Sequence, residues 1–315
     1  MKYALYAFIL TLLEYRCSKK AQLYLIVMDH SQTNFRYVSQ LGTIIVSLFL
    51  TTFSVASDFS FEIGADVKQF NYQEFDDDNV ILDEEHGTLP GVALGLEWQW
   101  PSWFLSVDSS MLSGTVDYSG FTQSSNPSLD GIPVNTTTDT FIIDSLLTSG
   151  YRFGSDKRNY SSLYAGLGYH FWYRGIRDGS DVQGNPVSGL DEYYSWIYAA
   201  LGGKWAMLNT QRVGGSVNLQ ARHNLAGQMS LTLPGRDQMD FTLGNDWSMR
   251  LSVPFQYYIS KQSSLTLQPY YETWNLGKSD IVEETINGAP TGNAYLEPRS
   301  ETRNFGIWFT FDKQY

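Results

Sequence analysis

Residues 163–174 read LYAGLGYHFWYR. Taken alternately, Leu163, Ala165, Leu167, Tyr169, Phe171 and Tyr173 are apolar or aromatic. The residues between them include Gly166, Gly168, His170 and Arg174. The period is two, at which strand side chains change face, and not the 3.6 of a helix. One face of such a strand suits an apolar medium and the other a polar or crowded one. The alternation returns at Val92, Leu94, Leu96, Trp98 and Trp100, set against Gly91, Ala93, Gly95, Glu97 and Gln99. It returns again in the series Phe241, Leu243, Trp247, Met249, Leu251, Val253, Phe255 and Tyr257.

Ten such segments lie after residue 57, at about 58–75, 87–100, 103–118, 138–154, 160–176, 192–208, 212–227, 240–258, 264–280 and 300–313. Their connections alternate short and long. The short ones are Pro101-Ser102, Ser155 to Asn159, Asn209 to Gln211 and Ser260 to Gln262; the long ones are about 76–86, 119–137, 177–191, 228–239 and 281–299. A transmembrane barrel has short periplasmic turns and long outer loops, whereas a β-sandwich has no reason to keep that asymmetry. Composition agrees: 15% of residues are aromatic, 17% are charged, and the mean hydropathy is only −0.25. Lipid-facing and lumen-facing residues cancel in such an average. The fold expected is all-β, a ten-stranded antiparallel up-and-down transmembrane barrel spanning 57–315, with five outer loops and both ends on the periplasmic side.

The first 56 residues stand apart. Leu41 to Val55 (LGTIIVSLFLTTFSV) is nearly uncharged, follows Arg36, and leads to Ser54-Val55-Ala56, with small residues placed for cleavage after Ala56. This is a secretory signal pattern, and the run is short for a membrane span. Residues 1–27 carry a second apolar run and a basic patch, so Met28 is the expected start and 1–27 a start-site extension. The single Cys is Cys17, which leaves no thiol for a disulfide or a Cys-based metal site after cleavage. Net charge is −12, and the first 56 residues hold five basic and two acidic side chains, so the remainder is more acidic still. No basic stripe exists to neutralise nucleic-acid phosphates.

Near the C-terminus, Phe305, Ile307, Phe309 and Phe311 alternate with Asn304, Gly306, Trp308 and Thr310, and the chain ends on Tyr315. With the loop asymmetry and the strand-end aromatics (Trp98, Trp100, Trp103, Tyr151, Phe153, Tyr257, Tyr258), this chain resembles the bacterial outer-membrane β-barrel superfamily. The resemblance covers about 57–315. It implies residence in the outer membrane, contact with lipid and lipopolysaccharide, and reading of the C-terminal aromatic strand by the barrel-assembly machinery. Phe and Trp are commoner than Tyr as its terminal residue.

Strand parity turns a mixed-charge set inward: Glu62, Asp66, Lys68, Glu97, Asp108, Asp144, Arg152, His170, Arg174, Lys204, Arg222, Asp246, Arg250 and Glu272. In a narrow lumen these groups must pair with each other or with water. Ten strands fall between side-chain-filled barrels and wide pores, so a structural network is expected, with a narrow channel as the other reading. His86 follows Asp83-Glu84-Glu85 in what reads as an acidic first loop, as does Asp76-Asp77-Asp78; both suit a solvated acidic loop better than a metal or divalent-cation site. His223 falls on outward parity.

Three enzyme groups share this architecture. Resemblance to omptin proteases implies a pair of Asp facing an Asp–His pair. The upper third strand here offers only Asp117, and the fourth loop has Asp237 and Asp240 without a neighbouring His. Outer-membrane acyl hydrolases need Ser and His together, and His223-Asn224 lacks a following Ser. Palmitoyl transferases have eight strands and no motif matched here. No catalytic residue, cofactor or metal is therefore assigned. The expected function is a surface-exposed structural or interaction scaffold, as in opacity-type and OmpA-like barrels, with a host or extracellular ligand on its loops. A narrow porin-like channel and an omptin-like or lipid-modifying enzyme are the alternatives.

Overall fold

A computed structural model of the chain describes residues 58–122, 130–153 and 158–315. The signal-peptide and Met28 readings lie outside these residues. The strands are β1 (Asp58–Phe75), β2 (Ile81–Gln99), β3 (Trp103–Phe121), β4 (Pro133–Phe153), β5 (Ser161–Ile176), β6 (Gly179–Asp181), β7 (Pro186–Val187) and β8 (Leu190–Asn209). They continue as β9 (Val213–Thr232), β10 (Met239–Leu243), β11 (Trp247–Ser252), β12 (Phe255–Tyr258), β13 (Ser263–Leu276), β14 (Val282–Ile286), β15 (Ala289–Tyr295) and β16 (Arg299–Gln314). Among the described residues every barrel strand pairs antiparallel with its chain neighbours. β1 pairs with β16, from Ser60 opposite Gln314 to Phe75 opposite Arg299, and so closes the cylinder. Because β10, β11 and β12 together make one wall strand, the barrel has ten.

The outward face carries the belt read from the sequence. Leu163, Leu167, Leu201, Phe305 and Phe309 are all more than half exposed, which in lipid is burial. Above Phe305 the outward residues of β16 become Arg303 and Glu301; above Val67 those of β1 become Gln69, Asn71 and Gln73. From Gln69 to Phe75 the strand runs roughly 20 Å further, so this wall rises beyond the membrane. At the other rim Trp98 and Tyr315 pack on either side of Phe59, at 5.5 and 6.1 Å.

Inside, several small residues meet a tyrosine across the ladder. Gly168 lies opposite Tyr198, Gly202 opposite Tyr164 and Gly306 opposite Tyr270. A Cβ on Gly168 would stand 2.0 Å from the Tyr198 ring. These rings and Phe70, Trp172, Trp196, Phe241 and Trp274 fill the lumen with an apolar core as well as a charged one.

Three expectations need correction. The first loop is only 76–80, because β2 begins at Ile81 and not at 87; Asp83 and Glu85 are strand residues turned inward, and His86 is on the strand too. Consecutive acids concealed the alternation there, and their burial is compensated by a cation from another strand. The wall strand expected at 240–258 is interrupted at 244–246 and at Val253-Pro254. Proline has no N–H to give the ladder, and the first break changes which face the odd residues take: Phe241 and Leu243 are buried in the lumen, whereas Trp247, Met249 and Leu251 face outward. Asp246 therefore stands in a wall break, not on the lumen face; its Oδ1 accepts the Trp247 N–H at 2.6 Å. The third and fifth outer loops carry hairpins, β6–β7 and β14–β15, that parity did not show.

Candidate functional site

The lumen has three levels. At the outer level, Arg174 reaches inward from β5 and is met by four carboxylates from three strands. Its Nη1 lies 2.8 Å from Glu74 Oε1 and 2.8 Å from Glu192 Oε2, its Nη2 2.7 Å from Asp83 Oδ2, and its Nε 2.8 Å from Glu85 Oε1. The planar fork of five N–H donors is what allows one side chain to serve four acids. Tyr72 donates to Glu74 at 2.6 Å and Thr138 to Glu85 at 2.7 Å. A fifth acid, Glu297, enters from the base of the last loop, with Tyr194 Oη 2.6 Å from its carboxylate. Arg174 is 1% exposed.

The middle level balances three cations against three acids. Lys68 Nζ is 2.6 Å from Glu272 Oε1, and Arg250 Nη1 is 3.3 Å from Glu272 Oε2. Arg222 lies 3.9 Å from both Glu272 and Asp144, over the Trp274 ring. His170 Nδ1 is 2.9 Å from Asp144 Oδ2, with its ring stacked on Trp196 at 4.1 Å. Asp66 accepts from Tyr270 at 2.9 Å, and Arg250 covers that ring at 4.0 Å. Apart from the partly buried Arg250, these side chains are buried from both ends of the barrel. A continuous water path would leave them accessible.

Below them a polar cavity of about 240 Å³ opens towards the periplasmic rim, lined among others by Glu62, Glu97, Asp108, Tyr160, Lys204 and Asp312. Tyr160 donates to Glu97 at 2.7 Å, and Arg152 and Lys204 both lie over its ring, at 4.1 and 4.6 Å. Arg152 Nη1 donates to Gln99 at 2.7 Å.

The residues singled out in the sequence thus separate by height. Arg174 stands in the knot; Asp66, Lys68, Asp144, His170, Arg222, Arg250 and Glu272 meet in the middle; Glu62, Glu97, Asp108, Arg152 and Lys204 gather below. Glu74, Asp83, Glu85, Glu192, Glu297 and Asp312 escaped that reading. For Glu74 and Glu192 strand parity was a sufficient signal. Nothing local marks Glu297, which enters only because the last loop folds back. The aromatic C-terminal set, Phe305, Ile307, Phe309 and Phe311, faces lipid beside β13 and β1, and Tyr315 ends the strand at the periplasmic rim.

The fourth and fifth outer loops are tied to one another. Asp237 accepts from Thr285 Oγ1 at 2.7 Å and from the Gly288 N–H at 2.8 Å. Arg236 pairs with Glu284 at 3.0 Å, and Glu284 also accepts from Thr291 at 2.6 Å. The Gly288 N–H and Thr285 hold the Asp237 carboxyl below its ordinary range, and Thr291, Asn293 and Arg236 do the same for Glu284. The residues considered for proteolysis, Asp117, Asp237 and Asp240, are not brought together: Asp117 lies on the exposed outer wall, 3.8 Å from His86, and Asp237 is held by the fifth loop. Asp240 accepts from Ser230 at 2.6 Å, and His223 packs on Trp247.

A closed ten-strand cylinder with a lipid-facing belt, aromatic rims and outer loops defines the class: a bacterial outer-membrane β-barrel. A solved structure agrees on fold. The outer membrane protease OmpT from Escherichia coli superposes with a TM-score of 0.58 at 9% identity, covering 83% of this chain and 98% of that one. The outer membrane protein OprG from Pseudomonas aeruginosa is more distant, at TM-score 0.36 and 11% identity over 82% and 96% of the two chains. So is the translocator domain of the autotransporter NalP from Neisseria meningitidis, at TM-score 0.37 and 9% identity over 89% and 98%. No protein-family model matches the sequence, and no curated protein matches it.

Proposed function

We propose that this protein is a surface-exposed interaction scaffold: a sealed barrel that holds outer loops, the fourth and fifth tied to each other, above the membrane. The observation that supports this reading most is the crowded middle level, where Lys68 and Arg250 pair with Glu272, and Arg222 stands 3.9 Å from both Glu272 and Asp144, with no exposed side chain among them. Selective conduction needs an ion to enter a site and leave it, and here charges of both signs crowd the same level within 2.6 to 3.9 Å of one another. Surface loops on a rigid frame are a common seat of binding. Here the β14–β15 hairpin presents seven successive residues, Ala289–Tyr295, six of them exposed.

The test uses cells displaying the full chain and a chain in which residues 282–295 are replaced by a short Gly-Ser linker. Both are applied to immobilised matrix proteins and to cultured epithelial monolayers. Adherence above that of cells lacking the protein, lost with the hairpin while heat-modifiable gel mobility persists, is the expected result. Equal adherence of all three cell types overturns the proposal.

A further inference from the structure

The polar cavity below the middle level opens to the periplasm. It is roofed by the crowded side chains around Glu272 and ends at the turn Ser260–Ser263. Its volume of about 240 Å³ is that of roughly eight waters at ~30 Å³ each, which suits a small polar guest. A molecule entering from the periplasm must leave the way it came. That is the geometry of a binding site and not of a path.

Two of its acids are already engaged. Glu97 accepts from Tyr160 at 2.7 Å, and Asp312 accepts from Thr266 at 2.6 Å and from Ser264 at 3.1 Å. Three other charged groups are not. Glu62 on β1 and Asp108 on β3 flank Gly95 of β2, where a Cβ would stand 3.4 Å from Glu62 Oε2 and 3.4 Å from Asp108 Oδ1. Among the described residues neither acid forms an ion pair; Asp108 accepts from Ser106 at 3.3 Å, and Glu62 feels the like charges of Asp312 and Asp108. Lys204 enters from β8, which stands opposite β1, five places away in either direction round the ten-strand wall. Its ammonium lies 4.6 Å from the Tyr160 ring centre and, among the described residues, forms no ion pair and donates no hydrogen bond. An ammonium has three N–H groups to place, and a charge withdrawn from bulk water is costly while unpaired.

We infer that this pocket binds a short peptide with free ends, a dipeptide by size, its terminal ammonium between Glu62 and Asp108 and its terminal carboxylate on Lys204. The uncommitted acids and the uncommitted cation stand on opposite walls, so the guest must carry both charges and hold them apart. A single amino acid carries them on one carbon. A dipeptide separates them by a peptide bond, whose N–H and C=O suit the amide and hydroxyl lining of Gln268 and Ser162. The proposal is independent of any ligand on the outer loops.

Titration calorimetry of the refolded barrel in detergent with L-alanyl-L-alanine tests it, and saturable binding to one site is expected. Acetylating the dipeptide amine, or amidating its carboxylate, should weaken binding about tenfold, because each removes a hydrogen bond to a charged group. Free alanine should bind more weakly than the dipeptide by a similar factor. Asp108→Asn should weaken the dipeptide and its amide but not the acetylated form. Lys204→Gln should weaken the dipeptide and the acetylated form but not the amide. Arg177→Ala, on the outer wall, should change none of them. Heat-modifiable mobility confirms that each variant is folded, and each of the two reads its own end of the guest should the other fail. Absence of saturable dipeptide binding overturns the site. Equal affinity for the dipeptide and both blocked forms overturns the charge pairing, and alanine binding as tightly as the dipeptide overturns the peptide assignment.

Discussion

Removing the guanidinium of Arg174 should destabilise the barrel more than any exposed charge change can. The side chain is 1% exposed and makes four ion pairs between 2.7 and 2.8 Å, to Glu74, Asp83, Glu85 and Glu192. Deleting one partner of a buried pair costs about 3–5 kcal/mol, because the charge left behind is neither paired nor hydrated. Four acids are left here, so Arg174→Ala should lie at or above that range, about two to three and a half decades in the unfolding equilibrium at 1.4 kcal/mol per decade. Arg174→Lys keeps the charge but not the fork, and should fall between. The internal control is Arg177→Ala, three residues on, where the pair with Asp139 is about half exposed on both sides and water replaces what the substitution removes. Urea unfolding of the refolded barrel in detergent, followed by tryptophan emission and cold gel mobility, measures all three. Trp172 lies beside the knot, with the guanidinium 5.9 Å from its ring, and reports locally. Equal losses for Arg174→Ala and Arg177→Ala would refute the reasoning, and so would a loss below about 1 kcal/mol for the former.

Further outcomes follow from the same geometry. Gly168→Val should place its side chain in the Tyr198 ring and cost about 1–3 kcal/mol by overpacking. Outward Ala165→Val on the same strand should cost little, and urea midpoints compare them. The loop latch should depend on acid in one direction only. Because Asp237 and Glu284 titrate below their ordinary range in the folded loops, they stabilise the latch above the unfolded carboxylate pKa of about 4 and lose that contribution as pH falls through the folded value. Hydrogen exchange of residues 282–295 should therefore be flat from neutral pH down to about 5, after correction for intrinsic rate, and rise below about 4; a rise on the alkaline side contradicts it. Asp237→Asn should raise the same exchange at neutral pH without moving the global urea midpoint.

Much of this architecture was legible because a barrel wall obeys one rule repeated ten times. Residues 163–174 follow it without exception, and the strand they form runs Ser161–Ile176. The rule was harder to read where it was bent or disguised. Asp83-Glu84-Glu85 looked like a loop because three acids in succession suit solvent; only the distant Arg174 makes two of them lumen residues. Asp246 was placed by parity across a break that parity cannot see, since the interruption at 244–246 resets which face is inward. The membership of the lumen network was visible, but its division into an outer knot, a balanced middle and a periplasmic cavity was not. Height depends on register between strands far apart in sequence, such as Lys68 and Glu272. The hairpin β14–β15 and the return of Glu297 are likewise tertiary, fixed by bonds from Asp237 and Tyr194.

The central claim is that the middle level seals the lumen. Single-channel recording of the refolded protein in a planar lipid bilayer tests it most directly. No discrete conductance steps are expected at neutral pH, whereas Glu272→Ala, which removes the acid facing Lys68 and Arg250 and leaves Arg222 beside Asp144 alone, should admit brief, noisy openings. Regular, long-lived steps from the wild-type protein would contradict the sealed barrel and move its function from the loops into the lumen.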